Sequence, residues 1–234
     1  MRRLSGSLLG ARDPAQPLLT LLDGVARVEL SGSTAGNWAA KAANLLHAHG
    51  TPSRVGLLLP LHWQTVTLLM GAAAAGATVV IAADPEALAG CEVAFVTAGA
   101  AQAALDACDG DVFAVCTAPL GGRLRDLPTM VLDAGADLPS YGDVLVVPAA
   151  AGWSVERAGT AVPALPDLGL RSTDRVLTVL PPSSADGLLV GLLAPLAAGA
   201  ALVLVPAALD PVAAAAERVT ATVGVDLPGV RRLV

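Results

Sequence analysis

One pattern occurs twice in this 234-residue chain and fixes most of what it can fold into. The first copy reads Arg54-Val55-Gly56-Leu57-Leu58-Leu59-Pro60, then an apolar stretch, then Gly76-Ala77-Thr78-Val79-Val80-Ile81. The second reads Arg175-Val176-Leu177-Thr178-Val179-Leu180-Pro181, then an apolar stretch, then Gly199-Ala200-Ala201-Leu202-Val203-Leu204-Val205. The shared frame is R-V-x-x-x-L-P followed by G-A-x-x-V, with two more residues between the halves of the second copy. A short continuous apolar run bounded by turn residues reads as a strand buried on both faces. The stretch between is rich in Ala and Leu and stops at a glycine, which readily takes the left-handed conformation just past a helix. Each copy is therefore a strand, helix, strand unit, and such units give parallel sheet with right-handed crossovers. The expected fold class is α/β: a parallel-sheet-rich layered fold built from two repeated βαβ units.

Other elements fit around this frame. Residues 33–49 read as a helix capped by Ser or Thr, with Trp38, Ala42, Leu45 and Leu46 on one face. Strands are expected at 91–97, 111–116, 202–205 and 220–223, with Asp143–Val147 a further candidate, and helices at 100–107 and 211–218. Residues 119–148 are punctuated by Gly, Pro and Asp and show little periodicity. The expected organisation is an N-terminal segment 1–29, a first lobe 30–148, a loop or linker 149–170 and a second lobe 171–234, with one compact domain as the alternative.

Composition excludes several classes. With 54% hydrophobic and 15% charged residues the chain is not disordered. Thr65–Ala83 and Gly187–Leu209 are uncharged and long enough to suggest membrane spans. Each, however, breaks from a helical run into a β-branched strand at a glycine, which would leave unpaired backbone in lipid, and neither has basic flanks. No membrane span is expected. The net charge is −6 and Lys41 is the sole lysine, so no clustered basic face exists and a nucleic-acid partner is not expected. Cys91, Cys108 and Cys116 are odd in number and lack C-x-x-C spacing, which argues against a disulfide framework and a zinc site. The N-terminus lacks the apolar core of a secretion signal, and a cytoplasmic location is expected.

Familiar catalytic motifs are absent. Neither Pro-terminated loop carries G-x-G-x-x-G, no G-x-x-x-x-G-K-[ST] occurs, and Lys41 reads as part of a solvated helix face. G-x-S-x-G is missing; the nearest string, Gly152-Trp153-Ser154-Val155-Glu156, lacks the second glycine. His47 and His49 fall at a helix end, where a cation suits the dipole. His62 and Trp63 follow the first Pro-terminated strand, at the carboxyl end where ligands of open α/β sheets bind. The competing expectation for His62 is a helix-start residue with its ring at the surface. The matching loop of the second copy holds Ser183, Ser184 and Asp186, where Ser183 with Asp186 reads as a capping pair. These five residues are the candidate pocket. No catalytic, cofactor-binding or metal-binding residues are assigned.

The order of these pieces resembles the N-terminal part of the adenylate-forming, AMP-binding superfamily, which includes acyl-CoA synthetases. In that family an early helix leads into a strand like Arg54–Pro60, followed by a helix and a strand like Gly71–Ile81. A second unit that carries the acyl pocket looks like Arg175–Val205, followed by a helix and an E-R-V-T element like Glu217–Thr220. The resemblance spans residues 30–225. More narrowly, Leu45–Pro60 with His62-Trp63, and Leu132-Asp133 with Tyr141-Gly142-Asp143, look like a group of short actinobacterial proteins distantly related to that superfamily. The resemblance places a Ser/Thr/Gly-rich phosphate loop ending in Pro-Lys-Gly between Val147 and Arg171. Here that stretch reads Pro148-Ala-Ala-Ala-Gly-Trp-Ser-Val-Glu-Arg-Ala-Gly-Thr160, without the cradling glycines and the lysine. The aromatic and His of the family's acyl-pocket loop are replaced by Ser183-Ser184. The adenine and ribose motifs, the catalytic glutamate and the mobile C-terminal domain lie later in the family than Val234.

These departures imply no cofactor, with binding of ATP, AMP or CoA disfavoured. Three functions are open: a non-catalytic relative that serves as a binding or scaffold module, a reduced enzyme or binder of a small acyl or aryl ligand, and an interaction protein that forms a homo-oligomer or takes a protein partner.

Overall fold

The structure is a computed structural model and describes residues 4–5, 13–162, 164–208 and 210–234. In chain order the strands are β1 (Leu4–Ser5), β2 (Pro17–Asp23), β3 (Ala26–Ser31), β4 (Arg54–Leu58), β5 (Thr78–Ile81), β6 (Val93–Thr97) and β7 (Asp111–Val115). They continue as β8 (Val131–Asp133), β9 (Gly152–Arg157), β10 (Thr160–Ala161), β11 (Arg175–Thr178), β12 (Ala201–Leu204), β13 (Ala221–Val223) and β14 (Arg231–Arg232). The helices are α1 (Gly32–Ala48), α2 (Trp63–Ala74), α3 (Ala101–Ala107), α4 (Ala134–Asp137), α5 (residues 185–197) and α6 (Pro211–Ala216). Helix α5 is α-helical over Ala185–Leu188 and Ala194–Ala197, with a π-helical turn at Leu189–Leu193.

Both repeat copies form the expected βαβ units. In the first, β4 and β5 pair in parallel with Arg54 opposite Thr78; in the second, β11 and β12 pair in parallel with Arg175 opposite Ala201. The two copies nucleate different sheets. The first sheet runs β1-β9-β5-β4-β6-β7-β8, with β10 on β9, and is parallel from β9 through β8. The second runs β14-β13-β11-β12-β2-β3, parallel except for the β2–β3 hairpin.

One compact unit comprises Met1–Leu9, Gly36–Leu59 and Gln64–Pro163. Its strands are buried on both faces, as a parallel sheet requires: Val55, Leu57, Phe95 and Phe113 on one face and Ala94, Val96, Val112 and Ala114 on the other are all 1% exposed or less. Phe95 and Phe113 stack across β6 and β7 with ring centroids 5.3 Å apart. Beneath α3 lies a cluster of Ala82, Leu88, Ala94, Val96, Ala101, Ala104 and Val112. The scarcity of large side chains is used for close approach: a Cβ on Gly71 of α2 would lie 2.5 Å from Ala42 Cβ of α1.

The other unit comprises Gly10–Ala35, Pro60–Trp63 and Ala164–Val234. Leu22, Leu177, Val203, Val205 and Ala214 make its core on one side of the sheet. On the other side α5 comes so close that a Cβ on Gly191 would sit 2.7 Å from Thr178 Oγ1.

Several expectations are corrected. The N-terminal segment supplies the β2–β3 hairpin, whose β2 pairs with β12 and extends the second sheet. The presumed loop at 149–170 carries β9, an integral strand beside β5. Within 119–148 the short β8 and α4 were hidden by their length. Asp143–Val147 is not a strand: among the described residues no strand pairs with it, and it bends around the side chain of Asn44. Among the described residues no helix is long and apolar enough to cross a membrane.

Candidate functional site

All five candidate pocket residues fall in the second unit, although His62 and Trp63 precede Ser183 by more than half the chain. His62 is 2% exposed and Trp63 4%, with ring centroids 5.5 Å apart and planes inclined by 36°. A surface ring for His62 is therefore wrong. Leu61 and Trp63 on either side of it are buried as well, at 3% and 4%, whereas Pro60 at the start of the turn is exposed.

The Pro181–Gly187 turn is built for capping. Ser184, rather than Ser183, is the cap: its Oγ accepts from Gly187 N at 3.0 Å and donates to Pro181 O at 2.9 Å. Glycine at 187 makes the turn feasible, since a Cβ there would lie 2.1 Å from Pro181 O. Asp186 is exposed in the first turn of α5, where a carboxylate suits the helix dipole. Ser183 is half-buried.

Where the family resemblance places a phosphate loop, the structure has a tight hairpin. β9 and β10 pair antiparallel with Arg157 opposite Thr160, joined by Ala158 and Gly159 alone. Both turn residues are left-handed, with φ of +49° and +70°, the conformation a two-residue hairpin requires. Val162 N donates to Val155 O at 2.8 Å and closes the ladder. The turn has too few residues to wrap a triphosphate with successive backbone amides.

Lys41 does not lie on a solvated helix face. Its ammonium donates to the carbonyls of Tyr141 and Pro139 and pairs with Asp143 at 2.8 Å. One turn on, the buried Asn44 donates to Gly142 O (3.0 Å) and Val144 O (2.8 Å) and accepts from Val146 N (2.9 Å). Together they strap the 139–146 segment onto α1, leaving Val144 and Val146 about 80% exposed. The signal for Asn44 was legible: an amide three residues after Lys41, the spacing that puts both on one side of α1.

The second unit also holds an ion network. Glu217 accepts from Arg27 Nε at 2.6 Å and from Arg175, while Glu29 accepts from Arg27 Nη2 at 2.6 Å and Thr20 Oγ1 from Arg175 at 2.8 Å. Burial pushes the Glu217 carboxyl up, but hydrogen bonds from Arg27 and Arg175 outweigh it and hold the group below its ordinary value of 4.5. Arg27 is raised, chiefly by its hydrogen bonds to Glu217 and Glu29. The network involves the start of β11 and the residue after α6, the end of the parallel strands opposite to that where open α/β sheets take ligands.

A cavity of about 220 Å³ lies elsewhere in this unit, between Leu165, Pro166, Leu168 and Leu170 and the last turn of α5. It includes none of the five candidate residues. Among the described residues no group of three His, Cys, Asp or Glu side chains is arranged to hold a metal.

No family model matches the sequence. Over 216 residues the chain is 37% identical to a TIGR03089 family protein of Mycobacterium tuberculosis (strain ATCC 25618 / H37Rv), covering 86% of this chain and 89% of that one. Its fold is similar to that of an acyl-CoA synthetase from Brucella canis, with a TM-score of 0.72 at 20% identity over 91% of this chain and 45% of the other. A benzoate CoA ligase from Burkholderia xenovorans LB400 gives 0.67 at 19% identity, over 90% and 47%. ATP-bound MatB from Rhodopseudomonas palustris gives 0.69 at 14% identity, over 94% and 49%. The chain thus spans about half the length of these solved structures. The expected likeness to the N-terminal part of the AMP-binding enzymes stands as a likeness of fold: mixed α/β with two mostly parallel sheets.

Proposed function

We propose, from the premise that this chain belongs to the TIGR03089 family, that it keeps the frame of an adenylate-forming enzyme as a non-catalytic binding or scaffold module. The observation that carries this reading is the Ala158-Gly159 turn between β9 and β10. Phosphoryl and nucleotidyl transfer depend on amides and cations positioned around the phosphates. A two-residue turn offers no such cradle, and the sole lysine is engaged with Asp143 and with the carbonyls of Pro139 and Tyr141. The ligand of the module is a small acyl or aryl compound taken at the carboxyl end of the second unit's strands, near His62, Trp63, Ser183, Ser184 and Asp186. The capping geometry of Ser184 and the exposed carboxylate of Asp186 support an uncharged body there over a phosphate.

The test is ATP–pyrophosphate exchange by the purified chain across a panel of acyl and aryl carboxylates, with calorimetric titration of the same compounds and of ATP. Exchange at the no-enzyme background is the expected result; exchange well above it with any carboxylate removes the proposal. A second reading, a protein partner or a homo-oligomer, is favoured by the rigidly strapped and exposed Val144 and Val146. Sedimentation at micromolar concentrations separates the two, since a monomer throughout would leave no place for a homo-oligomer.

A further inference from the structure

Two of the three free cysteines, without motif spacing between them, are brought to one place by the topology. β6 and β7 run parallel through the α3 crossover, with Val93 opposite Asp111. The crossover therefore returns the chain before β7 to the residues before β6. There Cys108 Sγ donates to the carbonyl oxygen of Cys91 at 3.0 Å, and Asp109 N donates to the same oxygen at 3.0 Å. Through that second bond the two Cα atoms are at most about 8 Å apart, even if the intervening atoms were in line, and any bend shortens this toward the span of a disulfide.

The two side chains also share a face of the sheet. Cys108 packs against the cluster of Leu88, Ala94 and Ala104 under α3. Cys91 Sγ points into the same layer: a Cβ grafted on Gly56 would meet Leu88 at 2.5 Å, Cys91 Sγ at 3.2 Å and Ala94 at 3.6 Å. Glycine at 56 leaves the room in which the Cys91 sulfur lies. Cys91 is fully buried and Cys108 partly exposed, so an oxidant reaches Cys108 first. Cys116 follows the far end of β7 and stands outside the pair.

We propose that Cys91 and Cys108 are a redox-closable pair, joined into a reversible intramolecular disulfide by a low-molecular-weight disulfide. The Cys108 thiolate attacks one sulfur of the small disulfide RSSR and forms a mixed disulfide, releasing the first RS−, which takes up the proton that Cys108 gave up. The Cys91 thiolate then attacks the Cys108 sulfur and expels the second RS−, which is protonated in turn. One RSSR is reduced to two RSH as the two protein thiols are oxidised to one disulfide. Burial is the main cause that pushes both thiols up, Cys91 to about 11, so their thiolates are scarce near neutrality. Closure therefore is slow at pH 7 and quickens by up to about tenfold per pH unit above it.

The experiment incubates the native chain with glutathione disulfide at pH 7 to 9, quenches with acid, and alkylates with N-ethylmaleimide in denaturant for intact-mass and non-reducing peptide analysis. The expected product carries one maleimide, on Cys116, and a cross-link between the peptides of Cys91 and Cys108 that dithiothreitol reverses. C108S gives no cross-link, and C91A, which keeps the layer apolar, accumulates a glutathione adduct on Cys108. Three maleimides after prolonged incubation, a persistent adduct on Cys108 of the unmutated chain, or linkage through Cys116 or a second chain overturns the proposal.

Discussion

Replacing Glu217 by Gln isolates the value of the ion network in the second unit. The Glu217 side chain is 4% exposed, that of Arg175 16% and that of Arg27 49%. Removing the carboxylate leaves two guanidinium groups facing Glu29 alone, an unbalanced positive charge. Breaking a buried pair in this way costs about 3–5 kcal/mol. Arg27 is half in water and keeps Glu29, and Arg175 keeps Thr20, so the lower end, about 3 kcal/mol, is expected. That corresponds to roughly a 100-fold rise in the opening constant. Hydrogen exchange at the amides of Leu177, Val203 and Thr222 reads it directly, because these residues lie in the paired strands of the unit. The dependence on pH supplies a second arm. The folded carboxyl is held below 4.5, so the unfolded chain binds the proton more readily. The contribution of Glu217 is therefore full above that pH and is lost as the pH falls through the lower, folded value. The gap between the unmutated chain and E217Q narrows on acidification below pH 4.5. A change of less than threefold in exchange at pH 7, or a gap that widens on acidification, refutes the reasoning.

Two further substitutions test the strap and the helix contact. Asn44→Ala removes three hydrogen bonds to the 142–146 segment; because water replaces some of them, a loss of about 1–2 kcal/mol is expected, with faster exchange at the Val146 amide. Gly71→Ala drives a methyl to 2.5 Å from Ala42 Cβ and 2.7 Å from Ala39 O, and a destabilisation of about 1–3 kcal/mol should appear in urea unfolding. Gly36→Ala in α1, where a Cβ meets nothing within 4 Å, serves as the control and should stabilise by about 0.5–1 kcal/mol.

The repeat was legible because both copies are short-range: strand, helix and returning strand lie within thirty residues and obey one hydrophobic grammar. What pairs across long distances was not. The β2–β3 hairpin lies in the first thirty-one residues but β2 is completed by β12, and nothing local to Pro17–Asp23 announces that partner. β9 was masked by Gly152, Ser154 and Glu156, polar alternation that reads as loop until β5 is set beside it. Asp143–Val147 failed in the opposite direction: its Val-rich composition favours a strand, but Asn44 satisfies its backbone in place of a partner. At the candidate pocket, the position of His62 after its strand was readable, whereas its burial was not, since that depends on the packing of Leu61 and Trp63. The capping role of the second loop was readable to within one residue.

The π-helical turn at Leu189–Leu193 accounts for how an insertion was absorbed without disturbing the sheet. The second repeat is two residues longer than the first. One of them lies in the loop, where three residues separate Pro181 from the helix against two after Pro60. The other lies in the helix, which spans 185–197 against 63–74. A π turn holds an additional residue per turn, so the longer helix delivers its terminal glycine, Gly199, to the same place relative to its strand as Gly76. The parallel registers Arg54 to Thr78 and Arg175 to Ala201 are preserved as a result. The additional residue is taken up inside the crossover, and the sheet that the helix serves stays in frame.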